Sequence, residues 1–390
     1  MPSSTPALNI QGNPVTGNQI NPEEFFRYTR RLRGAMAGNI PAYAGLGSPD
    51  VMELKPTGIL GAIDIKFEGS LVVTPSTGSV ATTAKWPYSL IRYLKLSANG
   101  QTNLINCNGT FLKARELIAN PSLNDRGVQQ TIAGATVNQG TMSLNEEQWG
   151  VGQATSSLSA GTYPVELAWR VPVAWDLVKL YGALYLQTAA TAVSLEIDWA
   201  PPTDLFTIVS PATAVLTGGW MAEGVVFNIP SVGGQGVIPD LSTFHAIAQS
   251  NTTAIGTTTN QVVLSGQGVN KQLMRIIGSL WSGSTGPGAP LPMNKANFGN
   301  IGWGYGLSET PEIWQDGDSM AIDVERAYSS DLGKYYGQFV IDFARHWSFR
   351  DSVNEAAASQ LQLILGVAAS LTSPRLEYAQ EVMINAASAA

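Results

Sequence analysis

The sequence is poor in the residues on which most chemistry depends. Its 390 residues include one cysteine, Cys107, and two histidines, His245 and His346. A single cysteine excludes an intrachain disulfide and a cysteine-held zinc. Two histidines leave little from which to build a metal centre or an acid–base pair. Charged residues make up 13%, about half of the ~25% of a usual soluble domain. Either much of the surface is buried against other subunits, or Thr, Ser and Asn coat it. No run of about 18 apolar residues occurs, so no helix is expected to span a bilayer. The stretch MPSSTPALNIQGNPVTGNQ lacks the basic-then-apolar order of a signal peptide, which predicts synthesis in the cytoplasm. A net charge of −7 argues against direct nucleic-acid binding, which needs clustered Lys and Arg.

What the chain does have is turns and alternation. Forty glycines and 22 prolines punctuate it. Tyr163, Val165, Leu167, Trp169 and Val171 alternate with Glu166, Ala168 and Arg170, and Val193–Trp199 repeats the pattern. This period of two predicts strands with one buried face. An aromatic-rich connector, 174–187, joins them. The same plan recurs with Phe339, Ile341 and Phe343, a connector at 345–358, and Leu361–Val367. Two such units predict a duplicated β-domain. Further strands are expected at Ile63–Val73, Ser89–Ser97, Val225–Ile229, Gln261–Leu264, Leu273–Trp281 and Met320–Glu325, with a two-residue hairpin at Asn99-Gly100. Helices are expected over Thr110–Ala119 and from Asp240. Residues 39–56 read as an extended linker, 201–224 as irregular, and Ser231–Gly236 as the domain boundary.

Near the amino terminus, NPEEFFRYTRRLRGAMAG has an Asn cap, Pro22 in the first turn, and acids before bases, as a helix dipole favours. It predicts a short basic amphipathic helix carrying Arg27, Arg30, Arg31 and Arg33. Such a helix can lie on an anionic membrane surface or pack against its own domain.

Catalytic constellations are thin. His245 and His346 read as structural or surface histidines, and Cys107 as packing rather than nucleophile. Glu146-Glu147 are adjacent and point apart on a strand, so they make no carboxylate dyad. Asp316-Gly317-Asp318-Ser319 has too few acids for a calcium loop and reads as a polar turn. Gly302, Gly304 and Gly306 lack the strand-to-helix setting of a phosphate cradle. No catalytic, cofactor or metal site is expected.

The strands alternate with turns and no long helix intervenes, which favours antiparallel sandwiches, and the long connectors favour jelly rolls. At ELAWRVPVAW (166–175) leading to SLEIDW, at GVIPDLSTFHAI (236–247), and at KYYGQFVIDFARHWSF followed by LQLILGVAASLTSPRLEY, the chain resembles the double jelly-roll major capsid proteins of tectivirus-type bacteriophages, tailless and with an internal membrane. The order of features matches over about 20–380. The resemblance implies an all-β fold of two tandem eight-stranded jelly rolls: an arm and basic helix at 1–44, a first roll at 45–236, a second at 237–376 and a tail at 377–390. It implies a homotrimer tiling an icosahedral shell, with neighbouring capsomers, penton and minor capsid proteins as partners. The virion is the expected location, with Arg27, Arg30, Arg31 and Arg33 facing the membrane. The competing reading is a carbohydrate-binding or sugar-active β-sandwich, which requires exposed aromatics and a carboxylate pair.

Overall fold

In the computed structural model the described residues are 18–19, 22–35, 49–54, 57–74, 77–83, 86–98, 101–119, 131–132, 135–136, 157–186, 192–232, 235–252, 255–264, 271–282, 290–305, 309–329, 332–333, 337–345, 352–354 and 361–385. Among them are sixteen strands of five or more residues. The first eight are β1 (Arg31–Ala35), β2 (Asp50–Leu54), β3 (Ile59–Thr74), β4 (Ile91–Ala98), β5 (Gln101–Cys107), β6 (Gly161–Val171), β7 (Val193–Trp199) and β8 (Thr213–Phe227). The second eight are β9 (Thr243–Thr252), β10 (Thr259–Val263), β11 (Lys271–Trp281), β12 (Phe298–Tyr305), β13 (Glu309–Trp314), β14 (Gln338–Asp342), β15 (Leu361–Val367) and β16 (Arg375–Asn385). Three helices matter below: α1 (Pro22–Tyr28), α2 (Gly109–Ala119) and α3 (Gly317–Tyr328).

Each set of eight forms two four-stranded sheets. In the first set, β6–β3–β8–β1 faces β5–β4–β7–β2; in the second, β10–β15–β12–β13 faces β14–β11–β16–β9. This is a double jelly roll. The alternation read from the sequence produces it directly. In β6 the side chains of Val165, Leu167, Trp169 and Val171 are buried while Glu166 and Ala168 are exposed, and β6 stays in register with β3 from Gly161–Val73 to Val171–Ile63. Inside the first roll, Trp199 lies 6.4 Å from Trp169, 5.9 Å from Trp220 and 5.6 Å from Phe67, ring centre to ring centre. Each such aromatic contributes about 1.5–3 kcal/mol by its burial. Asp50 on the edge strand β2 accepts from both Trp199 Nε1 (2.8 Å) and Trp220 Nε1 (2.9 Å), which ties the two sheets of this roll together.

Several expectations are corrected. The helix expected across the arginines ends at Tyr28, because Asn228 captures the next residues: Thr29 Oγ1 donates to its carbonyl at 2.5 Å, and its side-chain oxygen takes the Arg30 N–H. Arg31–Ala35 then pairs with β8 as β1. The helix expected from Asp240 is β9; Leu241, Phe244 and Ile247 mimic helical spacing, yet Thr243–Thr252 pairs along its length with β16. The strand expected at Met320–Glu325 is α3. There Met320 and Val324 share the buried face, and Asp316 caps the helix through Ser319 N at 2.8 Å. The stretch 201–224 is not irregular; it holds most of β8, fifteen residues long. The linker 39–56 contains β2, and the tail expected from 377 is most of β16, a strand within the second roll. Ser231–Gly236 contains a two-residue strand, Ser231–Val232, paired with Gln235–Ile238. As expected, α2 spans Gly109–Ala119, and β4 pairs antiparallel with β5, with Ala98 opposite Gln101; Asn99-Gly100, where the hairpin turn is expected, lie outside the described residues.

Candidate functional site

The two rolls share one sheet. At the junction β5 of the first roll pairs with β9 of the second, parallel, through Ile105–Ile247 and Asn106–Ala248. The order across both rolls is therefore β2–β7–β4–β5–β9–β16–β11–β14. Directly opposed residues share a face, so a single row crosses eight strands: Met52, Leu195, Leu96, Ile105, Ile247, Glu381, Arg275 and Asp342. The row is apolar as far as Ile247. It then becomes charged while remaining buried, with the side chains of Glu381, Arg275 and Asp342 at 0%, 2% and 1% exposure.

The first roll closes over this charged end. Arg115 of α2 places Nε 3.1 Å from Glu381 Oε1, and its Nη2 donates to the Trp175 carbonyl at 2.8 Å. Arg275 Nη1 lies 3.8 Å from the other Glu381 oxygen, while its Nη2 and Nε reach Asp342 Oδ2 at 2.8 and 2.9 Å. Tyr328 of α3 donates to the same Asp342 oxygen. The Trp175 ring sits 4.8 Å from the Arg275 guanidinium and 5.6 Å from that of Arg115, in cation–π geometry. It meets His245 edge-on at 5.5 Å. His245 Nδ1 lies 2.8 Å from the Pro172 carbonyl, and Nε2 is 3.6 Å from Glu381. Neither Glu381 oxygen has an aligned hydrogen bond; opposite charge holds the carboxylate. Burial pushes its pKa up, but Arg115, Arg275 and His245 outweigh burial and hold it at about 2. Burial pulls Arg275 down, and Asp342 and Glu381 more than reverse this.

This cluster was missed in the sequence except for His245, which is buried in β9 and has a structural setting. Cys107 is buried beside it, and burial pushes its thiol well above the ordinary range, as befits packing rather than nucleophilic chemistry. Asp316 is a helix cap, and Gly302 and Gly304 lie in β12. His346, Glu146, Glu147 and Gly306 lie outside the described residues. Among the described residues no group of three or more His, Cys, Asp or Glu could hold a metal ion.

The arginines separate. Arg27 lies in α1, whose Phe25 is buried among Ile59, Ala62, Phe227, Ile238 and Leu241. Arg27, Arg30 and Arg31 are exposed, beside Tyr28 and Leu32 at 49% and 53% exposure. Arg33 is exposed too, with 52% of its side chain accessible, but it pairs with Asp64 and lies 3.8 Å from Glu223.

No protein-family model matches the sequence, and no curated protein matches it. Solved structures do. The major capsid protein of STIV, Sulfolobus Turreted Icosahedral Virus, overlays with a TM-score of 0.63 over 92% of this chain and 96% of that one, at 10% identity. The quasi-atomic capsid of the virus PBCV-1 overlays with a TM-score of 0.56 over 93% and 96%, at 11% identity. The likeness runs over nearly the whole of each chain, and the fold is the double jelly roll of viral major capsid proteins.

Proposed function

We propose that this chain is a major capsid protein whose pseudo-hexagonal homotrimers tile an icosahedral viral shell around an internal membrane. The observation that carries the reading is a pair of jelly rolls joined through one shared sheet, alike to viral capsid subunits over nine-tenths of the chain. A charged fraction of 13% suits a subunit covered by neighbours on several sides. Adjoining capsomers, penton and minor capsid proteins are the partners, the virion is the location after synthesis in host cytoplasm, and Arg27, Arg30 and Arg31 face the membrane. The role is structural rather than enzymatic. A sugar-active sandwich fits less well, because Trp86, Trp169, Trp175, Trp199 and Trp220 are all fully buried and offer no stacking platform. The test is sedimentation of the purified chain at micromolar concentration, followed by electron microscopy of the concentrated protein. The expected species has three times the 41.4 kDa mass of the chain and associates into closed shells. A stable monomer overturns the reading.

A further inference from the structure

We propose that the strap Pro172–Gly182, together with Arg115, is a lock that makes the two jelly rolls move as one body, and that releasing it turns the β5–β9 contact into a hinge. The backbone link between the rolls in the shared sheet is short, with two residue pairs in register. Apolar contacts along the row are non-directional, so they resist separation better than rotation. A fixed angle needs directional contacts. Hydrogen bonds from Asn108 N to Gln249 Oε1 (2.6 Å) and between His245 Nδ1 and the Pro172 carbonyl (2.8 Å) supply two, and the strap with Arg115 adds three more. Trp175 wedges its indole against Arg275 and His245. Arg115 reaches Glu381. Gly182, at φ +79°, presses its backbone against β9, where a Cβ would fall 2.6 Å from the His245 nitrogen; only glycine combines that φ with that approach.

The strap is itself held from the first roll. Trp175 N donates to the Tyr181 carbonyl at 2.8 Å, and the Trp175 carbonyl accepts from Arg115 Nη2. One arginine therefore grips the strap and the opposite roll at once. Buried ion pairs add little stability over apolar residues of the same shape, and their best-attested use is to fix one arrangement among several. That is what a change from apolar to charged residues along a single row would serve. A cavity of about 430 Å³, lined by Ala62, Ala119, Pro172 and Leu177 among others, borders the strap and gives it room to move. Asn18–Gln19 pairs with Val237–Ile238, and Phe25 packs on Ile238 and Leu241. These second tethers keep the rolls together when the lock opens, so the product is a hinge. The lock is a property of the free chain; that it sets the outline of a capsomer rests on the proposed function above.

Hydrogen exchange on the full chain tests the lock without any shell. Trp175→Ala and Glu381→Gln should each speed exchange of the β5 and β9 amides around Ile105–Asn106 and Ile247–Ala248 at least tenfold, and leave β3 and β15 at their original rates. Asn106→Cys with Ala248→Cys, in a Cys107→Ala background, places thiols across the ladder; oxidation should restore slow exchange to the Glu381→Gln chain, and dithiothreitol should undo the rescue. If Trp175→Ala does not fold, the nearly isosteric Glu381→Gln carries the test. Unchanged exchange at β5 and β9, an equal rise in every strand, or a cross-link without effect overturns the lock. Sedimentation and shell formation judge the capsid reading separately.

Discussion

The ring of Phe67 lies against the bare Cα of Gly218. A Cβ at 218 would fall 2.8 Å from Phe67 Cζ and 2.6 Å from the Glu68 carbonyl oxygen. Gly218 is opposite Gly69 in the β3–β8 pair, so Phe67 covers a gap that two neighbouring glycines leave. Gly218→Ala is expected to destabilise the chain by about 1–3 kcal/mol, the usual range for overpacking against groups that cannot give way. A denaturant midpoint equal to that of the unsubstituted chain would show that the strands can part without cost.

Asp50 is the second anchor of the first roll. Its carboxylate takes two indole donors, from strands of opposite sheets. Asp50→Ala strands both N–H groups and should cost about 2–3 kcal/mol. Asp50→Asn keeps an acceptor oxygen and should cost less than half as much. Equal losses for the two substitutions would mean that the hydrogen bonds contribute little.

How much of this could be read beforehand depends on what each residue touches. β6, β7 and β15 were legible because their inward residues are apolar and consecutive in the alternation. β8 was hidden by Gly218 and Gly219, which break the pattern in the sequence although Leu216, Trp220 and Ala222 still point inward. α3 mimics a strand in the sequence because Ile322, 39% exposed, supplies a false alternation between Met320 and Val324. Its Asp316 cap is present in the sequence, where it has the same form as a polar turn. The charged cluster was not legible. Arg115, Arg275, Asp342 and Glu381 lie on four separate elements: strand register aligns Arg275, Asp342 and Glu381, and Arg115 reaches Glu381 from the helix α2. Taken singly, each looks like a solvated charge.

That cluster has a pH signature. The Glu381 carboxyl is held at about 2 in the fold, against about 4.3 in an unfolded chain. A depressed folded value contributes stability that is fully present above about pH 4.3 and is lost as pH falls through about 2. The junction should therefore be indifferent to pH from 5 to 8 and weaken steadily as pH falls from about 4.3 through about 2. The measurement is protection of β5 and β9 amides, corrected for the intrinsic pH dependence of exchange. In Glu381→Gln the same profile should be flat, and the two proteins should converge near pH 2. A junction that loosens near pH 6 would assign the control to another group.

The four amino-terminal arginines, expected to act together, should behave as three and one. Arg27, Arg30 and Arg31 are exposed, and no acidic partner for them is seen among the described residues; Tyr28 and Leu32 beside them are half exposed and apolar. Arg33 is already committed to Asp64 and Glu223, so drawing it to another anion means breaking those contacts. Each free arginine near an anionic bilayer is worth about 1 kcal/mol, falling off within a Debye length. Replacing Arg27, Arg30 and Arg31 with Gln should weaken binding of the chain to vesicles containing phosphatidylserine by about 100-fold at low salt. The slope of affinity against salt should also become shallower. Arg33→Gln should change binding by less than about threefold and instead loosen β1 from β8, seen as faster exchange of Leu32 and Gly34 amides. Multiple copies in one assembly multiply the difference by avidity, so monomer and assembled forms should be compared at equal arginine concentration. If the triple substitution leaves vesicle binding unchanged, the exposed arginines face protein or water in the shell, and the membrane-facing assignment fails while the jelly-roll fold is untouched.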